Sequence, residues 1–363
     1  MGGGTETSTL ELIKRFDASI DVTVCYFYPK HDLLTSYRAA GIKVQFLDLK
    51  GSYSFLTGIR KLLQLIQREQ PDVLVTSLYR ASIISRIASF ITGIPLVDTM
   101  VNDSYGEGKR KEFPGLQIGK FWSVYLLDRM TAFIPKLWIS NSVYLSKQLG
   151  KQLGIESNKI KVLYRGRDTQ QIKAWQQPSD NQPFHFISIG RLYKQKAQGD
   201  LIRAFKCFHQ RYPQSCLTIL GEGPERTYLE QLILELDVSA VVYLPGRVTN
   251  AWEQLYTANC FVLPSLYEGF SGALVEAMIA GIPVIASDIP MNLEAVTHHE
   301  TGFIHAAGDV DTLYAGMEEV FLHYEEAVKM GGAARRKALQ QYEVNSITLQ
   351  YLSMLKQVAK KSR

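Results

Sequence analysis

The sequence predicts an α/β protein built from two Rossmann-like domains. Short β-branched runs alternate with longer amphipathic segments along most of the chain, the pattern of parallel strands wrapped by helices. The alternation occurs on both sides of a polar, proline-punctuated stretch, WQQPSDNQP (175–183). At 363 residues the chain also exceeds what one ordinary core supports.

In the first half the strand runs are DVTVCYF (21–27), IKVQFLDL (42–49), DVLVTS (72–77), PLVDTM (95–100), LWISNS (137–142) and KIKVLY (159–164). In the second they are FHFISIG (184–190), CLTIL (216–220), VVYL (241–244), CFVLP (260–264), PVIAS (283–287) and TGFIH (301–305). Helical periodicity fills the gaps, as in LIRAFKCFHQRY (201–212) and ERTYLEQLILEL (225–236). The expected division is an N-terminal domain over 1–174, a linker over 175–183 and a C-terminal domain over 184–344. One feature is odd. Gly2, Gly3 and Gly4 stand directly before a helical pattern, either as a mobile terminus or as the turn after a strand that the chain lacks.

Composition narrows the function classes. Hydrophobic content of 46% with 21% charged residues is that of a globular chain. The net charge of +5 favours anionic ligands without the concentrated charge of a DNA-binding domain, and no nucleic acid is expected as a partner. No signal peptide or bilayer-length apolar run is visible, so a cytoplasmic protein is expected. Cys25, Cys207, Cys216 and Cys260 form no CxxC pair and read as buried free thiols.

The chemistry-bearing string is SLYEGFSGALVEAMIAGIPVIASD (265–288). A strand ends before it, a turn spans Leu266 to Ser271, and a helix is expected from about Gly272 to Ile279. Free N–H groups at that helix start favour hydroxyl or anionic oxygens. Glu268 on the turn and Glu276 inside the helix reach the same mouth. Carboxylates grip vicinal diols through charge-assisted bonds. Either glutamate alone reads equally as a helix-dipole acid or a solvated residue; the whole string favours a polyol.

A second constellation, GRLYKQKAQGDLIRAF (190–205), follows a strand and carries Arg191, Lys194 and Lys196 before a helix, which suits a pyrophosphate. LGEGPER (220–226) puts Gly221 and Gly223 after another strand, for close approach to a ligand or for an ordinary turn. Asp309-Val310-Asp311 has a metal-site spacing but opens a helix, so Asp309 reads as an N-cap. His298-His299 has no third ligand nearby. No metal is expected. The segment 106–130 mixes Lys109, Arg110, Lys111, Lys120 and Arg129 with Phe113, Phe121, Trp122 and Tyr125, either an ordinary core-facing helix or a surface for anionic lipid headgroups.

Together, GRL…K, LGEGP and S-x-x-E-G-F-x-x-x-x-x-E-A-M-x-x-G-x-P-V-I-A-S-D, followed by Glu294, resemble the retaining GT-B glycosyltransferases of family 4 (glycosyl transferases group 1). The similarity spans about the whole chain and is densest from Gly190 to Glu294. It implies two Rossmann-like domains facing across a cleft, with the helix of 345–363 crossing back to the N-terminal domain. It also implies transfer of a sugar, with retention, from a UDP-, GDP- or ADP-sugar to a saccharide or lipid-linked hydroxyl. Cell-surface polysaccharide or glycolipid synthesis, with peripheral contact at the inner face of the membrane, is the expected setting.

By the same resemblance, Arg191 and Lys196 bind the donor diphosphate and, with Glu268, are the catalytic residues; no cofactor is required. Glu276 holds the ribose, while Glu268 and the amides of Phe270, Ser271 and Gly272 hold the sugar. Gly190, Gly221, Gly223, Gly246 and Arg247 line the base and phosphate pocket, and Gly3 and Gly4 close over the diphosphate. The chain departs from the family at Ser271, where a glycine is usual. It departs again after the PLV strand, where a histidine is replaced by a stretch whose Asn102 or Asp103 is the expected contact to sugar or acceptor. An inactive nucleotide-sugar-binding subunit and a GT-B sugar-nucleotide epimerase are the alternatives.

Overall fold

The computed structural model describes residues 4–29, 33–49, 54–111, 113, 115, 117–179 and 181–360. The chain divides into two compact units, one of residues 1–167 with 344–363 and one of residues 168–343.

The first unit runs α1 (Gly4–Ile13), β1 (Thr23–Tyr26), α2 (Leu34–Ala39), β2 (Lys43–Phe46), α3 (Phe55–Glu69) and β3 (Leu74–Thr76). It continues through α4 (Tyr79–Thr92), β4 (Leu96–Met100), α5 (Glu107–Lys111), α6 (Gln117–Thr131), β5 (Leu137–Ser140), α7 (Val143–Leu153) and β6 (Ile160–Val162). Every strand falls inside a run the sequence marks. All pairings are parallel, but the strands form two pieces, β1-β2 and β3-β4-β5-β6. One helical layer serves both: Ile59, Leu62 and Ile66 of α3 pack with Ile84 and Ala88 of α4, and Phe27 beyond β1 and Leu74 of β3 join that cluster. Helix ends follow local chemistry. The Ser142 hydroxyl caps α7 by accepting from the Leu145 amide at 3.1 Å, and Gly154 closes it in the left-handed region.

A buried ionic cluster ties α4 to α6 and β4. Arg86 of α4, 2% exposed, donates to Asp98 on β4 (2.8 Å) and to Asp128 and Thr131 on α6 (2.5 and 2.9 Å). Burial opposes the Arg86 charge, but the two carboxylates outweigh it and raise the pKa. Tyr105 donates to the other Asp128 oxygen at 2.6 Å, which brings the segment after β4 into the same network.

The second unit contains β7 (Phe184–Ile189), α8 (Gln198–Arg211), β8 (Ser215–Leu220), α9 (Arg226–Glu235), β9 (Val242–Gly246) and β10 (Cys260–Leu263). Then come α10 (Gly272–Ala280), β11 (Val284–Ser287), α11 (Pro290–Ala295), β12 (Phe303–His305), α12 (Val310–Leu322) and α13 (Tyr324–Gln341). The six strands form one parallel sheet of order β12-β11-β10-β7-β8-β9. The chain therefore winds outward from β7 in one direction and from β10 in the other. β10 and β11 are buried at every position, as expected of central parallel strands covered on both faces. Phe186 of β7 and Leu217 and Ile219 of β8 share one buried cluster with Phe205 and Phe208 of α8.

The chain returns to the first unit with α14 (Val344–Lys360). Ile347, Tyr351, Leu355 and Val358 form one apolar stripe, seated on Val97, Leu137, Ile139 and Leu163.

Some expectations need correction. The changeover falls at 167/168, ahead of 175–183, because Trp175 is fixed inside the second unit: its ring N–H donates to Ala258 O (2.9 Å) and its amide to Ala280 O (2.7 Å). Of the cysteines only Cys260 is buried; Cys25 and Cys207 are exposed and Cys216 is intermediate, since their elements turn those positions off the core. Phe121 is buried and Tyr125 half-buried with its hydroxyl on Gln152 O (2.8 Å), so α6 turns other residues outward. Asp309 does cap α12, accepting from the amides of Asp311 and Thr312.

Candidate active site

The site residues gather where the sheet order reverses. β7 and β10 are adjacent (Cys260 opposite Phe186, Phe261 opposite Ile187), and the chain leaves them in opposite directions. The carboxyl ends of two such strands are the place where open parallel sheets take ligands. Residues 190–197 follow β7, and residues 264–271 follow β10.

The two loops meet through an ion pair between Lys196 Nζ and Glu268 Oε1, with side chains 13% and 9% exposed. Backbone fixes the meeting, since the Leu266 amide donates to Gln195 O at 2.8 Å. Glu268 is braced from below. The Ser265 hydroxyl donates to its Oε1 (2.9 Å), the Ser287 hydroxyl donates to Ser265 O (2.5 Å), and Asn292 Nδ2 donates to Ser287 O and Oγ (3.1 and 3.0 Å). Ser265, Ser287 and Asn292 are all fully buried. A carboxylate held this way has a fixed direction and little rotamer freedom left to lose on binding.

Arg191 is exposed, its guanidinium 4.8 Å from the centre of the Tyr193 ring, and its carbonyl accepts from Gln198 Nε2 at 3.1 Å. Lys196 passes beside Gly190. Ala197, at φ 51°, makes the sharp entry into α8 and brings the amide end of that helix beside the cations. Ser271 has φ −73° and caps α10 by accepting from the Leu274 amide (3.4 Å), so the position does not require glycine. Gly272 opens α10 and Glu276 is half-buried one turn in; Phe270 is buried, its ring edge-on to Tyr342.

Gly221 and Gly223 are explained by the chain itself. A Cβ on Gly221 would stand 1.9 Å from Gly190 O, and one on Gly223 2.2 Å from Leu192 O, so the backbones after β7 and β8 lie against each other. Gly246 ends β9 and its carbonyl accepts from the Gly221 amide (2.8 Å); Arg247 beside it is exposed.

In the first unit Gly3 lies outside the described residues, and Gly4 opens α1 with Arg165 Nη1 2.8 Å from where its Cβ would be. Asn102 is exposed. Asp103 folds back on its own turn and accepts from the amides of Gly106 and Tyr105; burial raises its pKa. Asp103 is thus a turn residue here, which separates it from Asn102 as a candidate contact. Among the described residues no three His, Cys, Asp or Glu side chains group as a metal site.

The fold is shared over nearly the full length with Anabaena HepE, solved in complex with UDP, with UDP and glucose, and with UDP-glucose. The TM-score is 0.84 at 22–23% identity, covering 98% of this chain and 96–97% of that one. A sequence model of Glycosyl transferases group 1 matches residues 169–337, and one of Glycosyltransferase Family 4 matches residues 2–171. The chain belongs to the GT-B glycosyltransferases.

The glycosyltransferase is 24% identical over 322 residues to the capsular polysaccharide biosynthesis glycosyltransferase CapM of Staphylococcus aureus, covering 85% of this chain and 83% of that protein. It is 44% identical over 105 residues to the glycosyltransferase MJ1059 of Methanocaldococcus jannaschii, a match that spans 29% of this chain and 26% of that protein.

Sequence reasoning located both loops of the glycosyltransferase but missed their support. Ser265 and Ser287 at or just past strand ends and Asn292 inside α11 carry no chemical signal of their own in the sequence. Only burial with mutual hydrogen bonds marks them as the brace beneath Glu268.

Proposed function

We propose that the second unit binds a nucleotide-diphosphate sugar and that the protein transfers the sugar, with retention, to an acceptor hydroxyl. The observation that carries this reading is the Lys196–Glu268 pair at the carboxyl ends of β7 and β10. A cation and a braced acid at one switch point match the two halves of such a donor: phosphate oxygens need positive charge, and sugar hydroxyls need acceptors.

In this reading Arg191 and Lys196 neutralise the diphosphate as it leaves, electrostatic stabilisation that requires no divalent metal. Glu268 and the amides of Phe270, Ser271 and Gly272 take the sugar, and Glu276 takes the ribose. Gly190 and Arg247 border the phosphate and base. The UDP and UDP-glucose named in the HepE structures support a nucleotide donor, and UDP-, GDP- and ADP-sugars are the candidates. CapM supports a role in cell-surface polysaccharide or glycolipid synthesis. The acceptor is then a saccharide or a lipid-linked saccharide, met by a cytoplasmic enzyme in peripheral contact with the inner face of the membrane.

Thermal shift with UDP-, GDP- and ADP-sugars tests donor binding; a ligand at a hundredfold excess over Kd stabilises by about 2.7 kcal/mol. Lys196→Ala and Arg191→Ala each lower transfer by about two to three orders of magnitude, and EDTA leaves it unchanged. Near wild-type transfer in both variants overturns the assignment of these residues. A stabilising donor that is neither transferred nor hydrolysed identifies a binding subunit instead.

A further inference from the structure

Glu268 meets the rest of the second unit through one oxygen. The ion pair from Lys196 and the hydrogen bond from the Ser265 hydroxyl (2.9 Å) both fall on Oε1. Among the described residues Oε2 has no partner, although the side chain is only 9% exposed. A carboxylate so placed accepts from a ligand in whatever direction its support sets.

That support runs back through three segments of chain. The Ser265 carbonyl accepts from the Ser287 hydroxyl (2.5 Å), and the hydroxyl and carbonyl of Ser287 accept from Asn292 Nδ2 (3.0 and 3.1 Å). A carbonyl can only accept, so the Asn292 group facing Ser287 is its NH2. Each donor therefore points toward Glu268, from α11 through the end of β11 to the turn after β10. Hydrogen bonds in series polarise one another, and loosening the far end loosens the whole.

Asn292 is the member of the series that stability does not explain. It is fully buried, and its Oδ1 has no hydrogen-bond partner among the described residues. An unmatched acceptor in a core weakens the fold, whereas an apolar side chain of similar size carries no such cost. Met291 and Ala295, its buried neighbours on α11, are apolar. The backbone of α11 does not need the side chain either: the Asn292 amide donates to Ile289 O (2.9 Å) and its carbonyl accepts from the Val296 amide (2.7 Å). What the residue type supplies is the pair of bonds to Ser287.

We propose that Asn292, acting through Ser287 and Ser265, is a positioning residue that fixes Glu268 with Oε2 toward the donor's sugar and so sets how tightly the sugar half is held. This rests on the donor reading given above, in which Glu268 takes the sugar. Asn292 itself, being fully buried, touches no ligand.

Calorimetric titration with UDP-, GDP- and ADP-glucose, each against its own diphosphate, tests the assignment, because only the first of each pair offers Glu268 a sugar. Asn292→Leu keeps the volume and removes the donors. It is expected to lower affinity for the sugar nucleotide about tenfold and to leave affinity for the diphosphate at the wild-type value. Ser287→Ala, a smaller change in the middle of the series, gives the same selective loss and serves if Asn292→Leu does not fold. In Glu268→Ala protein no acid remains to be directed, so adding Asn292→Leu changes either affinity by less than about twofold. Equal losses for sugar nucleotide and diphosphate, a loss that persists in the Glu268→Ala background, or wild-type affinities in Asn292→Leu or Ser287→Ala overturn the positioning role alone. Wild-type protein that binds none of the three sugar nucleotides, or Glu268→Ala protein that binds them at full affinity, overturns the donor reading and the positioning role with it.

Discussion

Lys196 donates to Glu268 across 72 residues of sequence, and each side chain is held from the side away from solvent. Glu268 rests on the Ser265 hydroxyl, and the Lys196 chain lies beside Gly190. Because both groups are mostly removed from water, taking away one leaves the other charge badly solvated. Lys196→Met is therefore expected to destabilise more than Lys196→Met combined with Glu268→Gln. A double-mutant cycle by urea denaturation gives a coupling of about 1–3 kcal/mol. A coupling near zero shows that the contact contributes nothing to the fold.

The glycines after β8 separate steric need from mere convenience. Gly221 faces Gly190 O with φ 143°, whereas Gly93, at φ 75°, has nothing within 4 Å of a built Cβ. Gly221→Ala must push two loop backbones apart and costs about 3 kcal/mol. Gly93→Ala meets only the left-handed backbone penalty, about 1–2 kcal/mol. Denaturant midpoints rank the two, and equal losses show that the loop backbones after β7 and β8 yield freely.

Two histidines of the second unit set a pH dependence. His305, 4% exposed, directs Nδ1 at Ala306 O (2.9 Å); His185 directs Nδ1 at Thr257 O (2.9 Å) and Nε2 at the Thr218 hydroxyl (2.8 Å). A carbonyl accepts, so Nδ1 carries the proton in each neutral ring. Burial holds both below the ordinary histidine range. The unfolded chain takes up protons below about pH 6.5 while the folded one resists, so this contribution is intact above that pH. It is lost as pH falls through the lower folded values. Urea midpoints at about pH 7.5 and about pH 5.5 are expected to differ less in His305→Gln than in the wild type. An unchanged difference removes His305 from the effect.

Much of the fold was legible because parallel strands buried on both faces must be almost continuously apolar. CFVLP and PVIAS announced β10 and β11; the C-terminal helix was expected from the resemblance alone, and the structure supplies its covered face of Ile347, Tyr351, Leu355 and Val358. Both site loops were legible for a related reason: glycines, cations and acids in unbroken order after strand runs have few structural uses. The brace of Ser265, Ser287 and Asn292 was not, because its residues belong to three chain segments and mean nothing until the sheet aligns them. Two readings of α6 stayed open for a similar reason. Both of its faces are apolar, so periodicity could not say which one the core would take.

By itself, then, the sequence determined the elements, the doubling of the α/β pattern and the two loops that carry charge, since each follows from local residue chemistry. Only the tertiary structure decided that β7 and β10 are neighbours, that Lys196 therefore meets Glu268, and that Gly221 and Gly223 serve the backbone beside them. Strand order is a property of long-range pairing, and no stretch of chain encodes its neighbour on its own.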